Sequence, residues 1–323
     1  MHRKAASGGS GKMKFIGLVA VVAVLVMAGL AASEAVKSLL MIMMIYSIFA
    51  MSYDVLLGYA NQPSLGQSLF FGLGAYGMIL PITRWEWSFW PSLAAGLILG
   101  LISAMLVGLV AVRLVEAYHV IFTAIIASVT HLMAKNMTPL TGGSGGLPTK
   151  IPPISLGPYT LSVYDPLSNY FLILGFSLAV FLVLSRLVES PLGKIWTAIR
   201  ENETRVSFLS YNTYFYKLAA FALAGFMTSL AGVLYAVRMR YASAEFFAFE
   251  WSLLPFIWIL VGGIGTLYGA ILGVAVFTFF QYYVSEWWAH YLILFGLLII
   301  FMLRWAPKGI IGIYRSWRQT WRA

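Results

Sequence analysis

Hydrophobic residues in this chain fall in long unbroken runs, unlike the alternation of a half-buried strand or the narrow stripe of a soluble amphipathic helix. Nearly uncharged stretches long enough to cross roughly 30 Å of hydrocarbon predict helices near 15–33, 36–57, 64–83, 89–112, 117–136, 168–187 and 215–237. A further run from Trp251 to Ser285 holds 35 residues without a charge. That is too long for one crossing, and Gly262-Gly263-Ile264-Gly265-Thr266 divides it into a short arm, which either crosses or re-enters, and a full span. A last span covers 289–304. The predicted fold is all-α: a polytopic membrane protein of about ten crossings, some of them short or broken.

Composition agrees. Of 323 residues, 61% are hydrophobic and 10% charged, against roughly 25% charged in a soluble domain. With no cysteine, a disulfide framework and a Cys-based metal or redox site are excluded. The formal charge of +10 would suit nucleic acid, but its distribution follows the positive-inside rule instead. With the N-terminus inside, inward segments hold fifteen Lys and Arg, from Arg3 and Lys12 through Arg113, Lys194 and Arg205 to Arg322. Outward segments hold six: Lys37, Arg84, Lys135, Lys150, Arg238 and Arg240. Both termini and the segment 188–214 are therefore expected in the cytoplasm, and nucleic acid is not expected as a partner. The basic tail Arg315–Arg322, interleaved with Trp317 and Trp321, reads as an anchor to lipid headgroups. The first apolar run, 18 residues long, exceeds the 7–15-residue core of a signal peptide and is expected to be a retained helix. Trp85, Trp87, Trp90, Trp287 and Trp288 sit at span ends, where amphipathic rings prefer headgroup depth.

The organisation that follows is a tail at 1–14, one membrane domain at 15–305, and a basic tail at 306–323. Two connections interrupt the membrane domain. The outward one, 137–167, contains six of the twelve prolines and the run Thr141-Gly142-Gly143-Ser144-Gly145-Gly146, a flexible turn with a stiff continuation. It suits docking of a soluble partner or capping of a path as well as simple linking. The inward one contains Ser190-Pro191-Leu192-Gly193-Lys194 and then Arg200-Glu201-Asn202-Glu203, too polar to cross a bilayer and too regular for a loop. It suits contact with a cytoplasmic partner, or a solvated linker.

Inside the spans, glycine and polar residues gather in two places. Asn61, Gln62, Ser64 and Gln67 precede one span, and Gly262, Gly263 and Gly265 lead into Gly269 and Gly273. Corresponding breaks in two halves point to a transport pathway, while Gly265, Gly269 and Gly273 at i, i+4, i+8 also form a ridge for close helix packing. Asp54 lies near the inner boundary, where a hydrated or paired carboxylate is expected; at mid-bilayer it would cost roughly 2.5–3.5 kcal/mol. His119 and His131 are twelve residues apart on one span, roughly 18 Å along a helix, and cannot share a metal within it. Polar packing is their default, with His131 a candidate contact for substrate or partner. Neither Gly11-Lys12-Met13 nor Gly193-Lys194-Ile195 has the spacing of a phosphate-binding loop. No catalytic constellation is present, so an enzyme is not expected and energy must enter from outside.

The motifs Gly58-Tyr59-Ala60-Asn61-Gln62-Pro63-Ser64-Leu65-Gly66, Phe71-Gly72-Leu73-Gly74-Ala75-Tyr76, Thr141–Leu147, Ser190-Pro191-Leu192-Gly193 with Ala198–Glu203, Tyr216–Phe221, Ala231–Ala236 and Gly262–Thr266 occur in order. Together they resemble the second permease subunit of bacterial branched-chain amino acid ABC importers, over about residues 40–275. The resemblance implies a heterodimer with a paralogous permease, two cytoplasmic ATPase subunits that hydrolyse ATP, a periplasmic or lipid-anchored binding protein, the inner membrane, and no cofactor on this chain. By position, Ser190–Glu203 resembles the helix that couples to the ATPase, and Thr141–Ser144 faces the binding protein. The sequence departs from the family at Asn61 and Ser210, where glycine is usual, at Pro63, usually aliphatic, at Asp54, usually asparagine, and at Gly145, usually acidic. These changes cluster in the expected pathway, and relatives import urea, short amides or aromatic acids as well. The alternative from another class is an ATP-independent secondary transporter or channel, with Asp54 as its ion or proton site.

Overall fold

The computed structural model describes residues 7–156 and 159–287, with 293, 294, 296, 297, 300, 304 and 309–312 beyond them. The span expected at 289–304 and the tail Arg315–Arg322 fall largely or wholly outside these residues. The described chain is a helical bundle. Its helices are α1 (Ser7–Ala31), α2 (Glu34–Asp54), α3 (Gln67–Trp85), α4 (Phe89–Ala111), α5 (Glu116–Asn136), α6 (Thr138–Thr141), α7 (Pro166–Glu189), α8 (Pro191–Phe208), α9 (Thr213–Met239), α10 (Phe249–Gly262) and α11 (Leu267–Trp287). Six are long and apolar enough to cross a membrane: α2, α4, α5, α7, α9 and α11. Helices also occupy the remaining expected spans that are described, as α1, α3 and the 14-residue α10. Two short ladders join the loops: β1 (Leu147–Pro148) pairs antiparallel with β4 (Tyr241–Ala242), and β2 (Ile154–Leu156) with β3 (Tyr159–Leu161).

The helices sort into an inner and an outer set. The apolar window of α9 is 83% buried within the chain and that of α2 72%, whereas α4, α5 and α7 bury less than a third of theirs. In lipid no hydrophobic force drives helix association, so close packing and polar contacts choose the centre. Small residues supply that closeness where α3, α4 and α9 meet. A Cβ at Gly74 would overlap the Ser229 carbonyl, one at Gly232 would overlap the Phe71 carbonyl, and one at Gly77 would sit 2.6 Å from Gly96 Cα. Gly269 and Gly273 do the same between α11 and α10, against Gly262 and Trp258. Gly265 does not belong to that ridge: it precedes α11, in a turn with φ +74°.

Polar side chains then pin the core. Thr228 on α9 donates to Gln67 Oε1 on α3 (2.9 Å) and lies 2.8 Å from Ser52 Oγ on α2. Ser252 on α10 donates to Ser68 Oγ (2.9 Å), which donates to the Phe247 carbonyl (3.0 Å). Such bonds contribute about 0.6 kcal/mol each within a membrane, but they also fix rotation. Beside them stands an aromatic cluster in which Tyr46 stacks on Trp258 (4.8 Å between ring centres) and Phe71 on Trp251 (4.9 Å), with Phe49, Tyr235 and Phe246 around them.

Candidate functional site

One end of the bundle gathers the segments 58–66, 112–119, 190–217 and 262–266; the opposite end gathers 84–90, 137–165 and 238–248. At the first end, α2 does not stop as a regular helix. It widens into a π-turn over Val55–Tyr59, closed by Asn61 at φ +53°. π-turns are often found at functional positions. The chain then runs extended past α5, where the Leu65 N–H donates to Thr123 Oγ1 (3.2 Å), before α3 begins at Gln67. The second break, Gly262–Thr266, packs directly against the first. A Cβ on Gly58 would lie 2.6 Å from Gly265 N, and Asp54 Oδ1 accepts the Gly265 N–H (2.7 Å). The two glycine breaks, 207 positions apart between Gly58 and Gly265, are thus one contact, with Asp54 as its staple. Asp54 is fully buried; of the two states expected, hydrated or paired, it is not hydrated at the boundary but held by a backbone N–H.

The polar segment reaches this contact. Ser190 has extended dihedrals and Pro191 opens α8, a position that lacks a helical partner for its N–H anyway. Gly193, Trp196 and Ile199 are buried on one face. A Cβ at Gly193 would overlap the Val188 carbonyl, and Trp196 donates Nε1–H to the Tyr216 carbonyl (2.8 Å). Arg200 donates from Nη1 to the Gly58 carbonyl, and the same nitrogen lies 2.7 Å from where a Cβ on Gly265 would be. The opposite face of α8, with Lys194 and Arg205, is exposed, and Phe208 and Leu209 follow at 83% and 71% exposure.

The single regular helix expected here is in fact two. Asn202 has extended dihedrals (φ −163°, ψ 100°) inside α8, and its Oδ1 accepts the Arg205 N–H (2.9 Å), so it ends one helix and caps the next. Glu203, just past the kink, pairs with Lys217 on α9 (3.1 Å). Ser210, where the resembled family has glycine, has φ +65°, and Asn61 likewise has a positive φ. Both departures keep the backbone that glycine would supply, asparagine more readily than serine. Ser210→Gly is therefore expected to stabilise the solubilised protein by about 1 kcal/mol, read as a higher unfolding temperature. An unchanged or lower temperature would place the strain elsewhere.

The expected pathway residues differ in exposure and in hydrogen bonding. Gln62, Ser64 and Gln67 are buried, while Asn61 is exposed. Ser64 Oγ accepts the Gly66 N–H (3.2 Å), whereas Gln62 has no partner for either amide atom and Gln67 none for Nε2 among the described residues. Gly262 and Gly263 pack against α11 and Gly309 respectively. At the far end, Thr141 is turned inward: its Oγ1 donates to the Met137 carbonyl (2.9 Å) and accepts the Gly143 N–H (3.1 Å). Its carbonyl accepts from Tyr76 (3.0 Å). Of the expected partner-facing set Thr141, Gly142, Gly143 and Ser144, only Ser144 is exposed. The His131 ring nitrogen Nδ1 lies 2.8 Å from the Ala244 carbonyl, a structural role. The internal aromatic cluster was not expected from the sequence; its signal was Trp251 and Trp258, seven residues apart, the second well inside an uncharged run.

A multi-pass helical bundle with paired broken helices and a polar segment latched onto the break defines a membrane permease. Residues 35–303 match the family described as "Branched-chain amino acid transport system / permease component", and the chain belongs to that family. It is 26% identical over 289 residues to the high-affinity branched-chain amino acid transport system permease protein LivM of Escherichia coli K12, covering 83% of this chain and 68% of that one. The LivM of Salmonella typhimurium LT2 gives the same values. The probable branched-chain amino acid transport permease protein LivM of Methanocaldococcus jannaschii is 25% identical over 316 residues, 82% of this chain and 89% of its own. No solved structure matches the chain significantly.

Proposed function

We propose that the chain is one of two paralogous permeases in an ATP-binding-cassette importer of branched-chain amino acids in the bacterial inner membrane. Its partners are the second permease, two ATPase subunits and a solute-binding protein. Both termini and the segment 188–214 lie in the cytoplasm, and 137–167 faces the binding protein. The observation that carries this reading is the latch between α8 and the glycine breaks. An ATPase dimer that closes on the exposed face of α8 moves Trp196 and Arg200, and Arg200 moves the Gly58–Gly265 contact. The two broken segments then shift together, which opens or shuts a path while the inner helices stay packed. Asp54 holds the two breaks as one hinge in this scheme and transfers no ion. The substrate rests on the names of the relatives, and the site supports a small polar solute through Gln62 and Gln67.

The test is a mild-detergent pull-down of the tagged chain, with ATPase assayed on the eluate and uptake of labelled leucine in proteoliposomes. The expected result is co-purification of a second permease and two ATPase chains, hydrolysis stimulated by loaded binding protein, and leucine uptake. A lone chain, active in liposomes without ATP, would overturn the reading and return Asp54 to the centre of the mechanism.

A further inference from the structure

Beside the latch lies a cavity of about 640 Å³, within the size range of small-molecule sites. Its walls come from four separate pieces of chain: the loop Asn61–Pro63, the α4–α5 turn with His119, the start of α9, and α8 on both sides of the Asn202 kink. Two of its lining groups are buried with unmet hydrogen-bonding capacity. Gln62 is 3% exposed and neither its amide oxygen nor its nitrogen has a partner. His119 lies 2.8 Å through Nδ1 from the Ala111 carbonyl, which can only accept, so Nδ1 carries the proton. Nε2 is then left as an unpartnered acceptor on a ring 4% exposed. Leaving such groups buried and unmet costs about 1–3 kcal/mol each, and the latch does nothing to satisfy them.

The charges around the cavity come in both signs. Lys217 is engaged by Glu203 (3.1 Å). Arg113 lies over the Tyr214 ring, 5.1 Å from its centre, and has no carboxylate partner among the described residues. Arg200, also on the lining, is engaged by the Gly58 carbonyl, and Glu201 is without a cationic partner among the described residues. A solute with a single charge would meet one of these groups and leave the other unmatched. A solute that carries a carboxylate and an ammonium in one small frame answers both: the carboxylate to Arg113, the ammonium to Glu201 and His119 Nε2, with the Gln62 amide serving either.

We propose that this cavity binds a free zwitterionic amino acid from the side of α8, and that the bound solute clamps the Asn202 kink to the loop Asn61–Pro63 and slows transport. The inference rests on the importer reading for the identity and sidedness of its solute. It assigns the permease itself a product-sensing site, distinct from the binding protein that delivers the solute. Because the cavity touches both α8 and the loop Asn61–Pro63, occupancy opposes the movement of α8 against the glycine breaks on which the importer scheme relies.

The assembled importer in nanodiscs provides the test, with leucine as probe. Without binding protein, labelled leucine is expected to bind at one molecule per chain. With binding protein already saturated, raising leucine from micromolar to millimolar is expected to lower ATPase activity about fivefold or more, the lower end of ordinary allosteric coupling. Arg113→Gln and His119→Phe are each expected to weaken leucine binding and shift the inhibition midpoint about tenfold, each normalised to its own uninhibited rate, as for loss of one charge-assisted hydrogen bond. Isovalerate and isoamylamine, each with one of the two charges, are expected to leave hydrolysis unchanged; equal inhibition by either would overturn the two-charge recognition. Absence of leucine binding would overturn the proposal, whether the cavity is empty or filled by the ATPase subunits. Leucine uptake by the same complex in proteoliposomes reports separately on the importer reading: uptake without direct binding sinks the cavity site alone.

Discussion

Arg200→Glu is expected to reduce uptake about hundredfold, the upper end of what one charged hydrogen bond is worth, while the chain still inserts and assembles with its partners. The guanidinium is the part of α8 that reaches the Gly58 carbonyl and lies against Gly265. A carboxylate there would face a carbonyl oxygen and the buried Asp54, whose Oδ1 is already held by the Gly265 N–H. The latch would open, and binding-protein stimulation of ATPase activity should disappear with uptake. Arg200→Lys keeps a charge but loses the planar fork, and should fall between the two. Gly193→Val reaches the same end by another route, because its side chain would meet the Val188 backbone and lift α8 off the bundle. Wild-type uptake by Arg200→Glu would remove α8 from the coupling scheme.

Gly232→Val should unfold the core instead. Gly232 on α9 faces the Phe71 carbonyl on α3, and a Cβ would overlap that backbone oxygen, which no side-chain rotation can relieve. The helices must separate, and the Gln67–Thr228 bond one turn away separates with them. Overpacking of this kind costs about 3 kcal/mol at the upper end of its usual range. The expected readouts are a sharply lower yield of folded chain and a lower unfolding temperature. Gly175→Ala on α7 is the control, since nothing lies within 4 Å of a Cβ there; it should be neutral or slightly stabilising. A Gly232→Val protein that melts like the parent would show that α3 and α9 are farther apart in the membrane.

Uncharged run length located the spans because a bilayer imposes a minimum apolar length, whatever the tertiary contacts. It could not rank them. α4 has a mean hydropathy of 2.5 and is mostly exposed, while α9, at 1.8, is the most enclosed of the six. Apolarity does not track enclosure: α5, at 1.5, is the least buried of the six, while α9 carries Thr228, Ser229 and its glycines for neighbours. Among the site residues, Ser190, Pro191, Gly193 and Arg200 were legible through motif and charge. Their attachment to Gly58 and Gly265 was not, because nothing in local sequence says that two distant glycine breaks touch. The Asn202 kink was equally hidden: asparagine at that position reads as an ordinary polar residue of an amphipathic helix until its dihedrals are seen. The burial of Thr141 was not legible, because the resemblance placed Thr141–Ser144 only by position, and the Ala134 and Met137 carbonyls that its hydroxyl meets come from the end of α5 and just past it.

The central position of α9 also dictates an order of assembly. Ser52 and Gln67 enter the membrane early in synthesis, but their partner Thr228 is translated some 160 residues after Gln67. Until then two polar side chains on the first helices face an apolar medium without their final bond, and α3 can lie against the glycines of α4 but not those of α9. The nascent chain must therefore keep its early helices loosely held beside the insertion machinery, and the bundle can close only when residue 239 has emerged. A ribosome stalled before that point would leave behind helices that are individually competent to insert but lack the one around which the core closes.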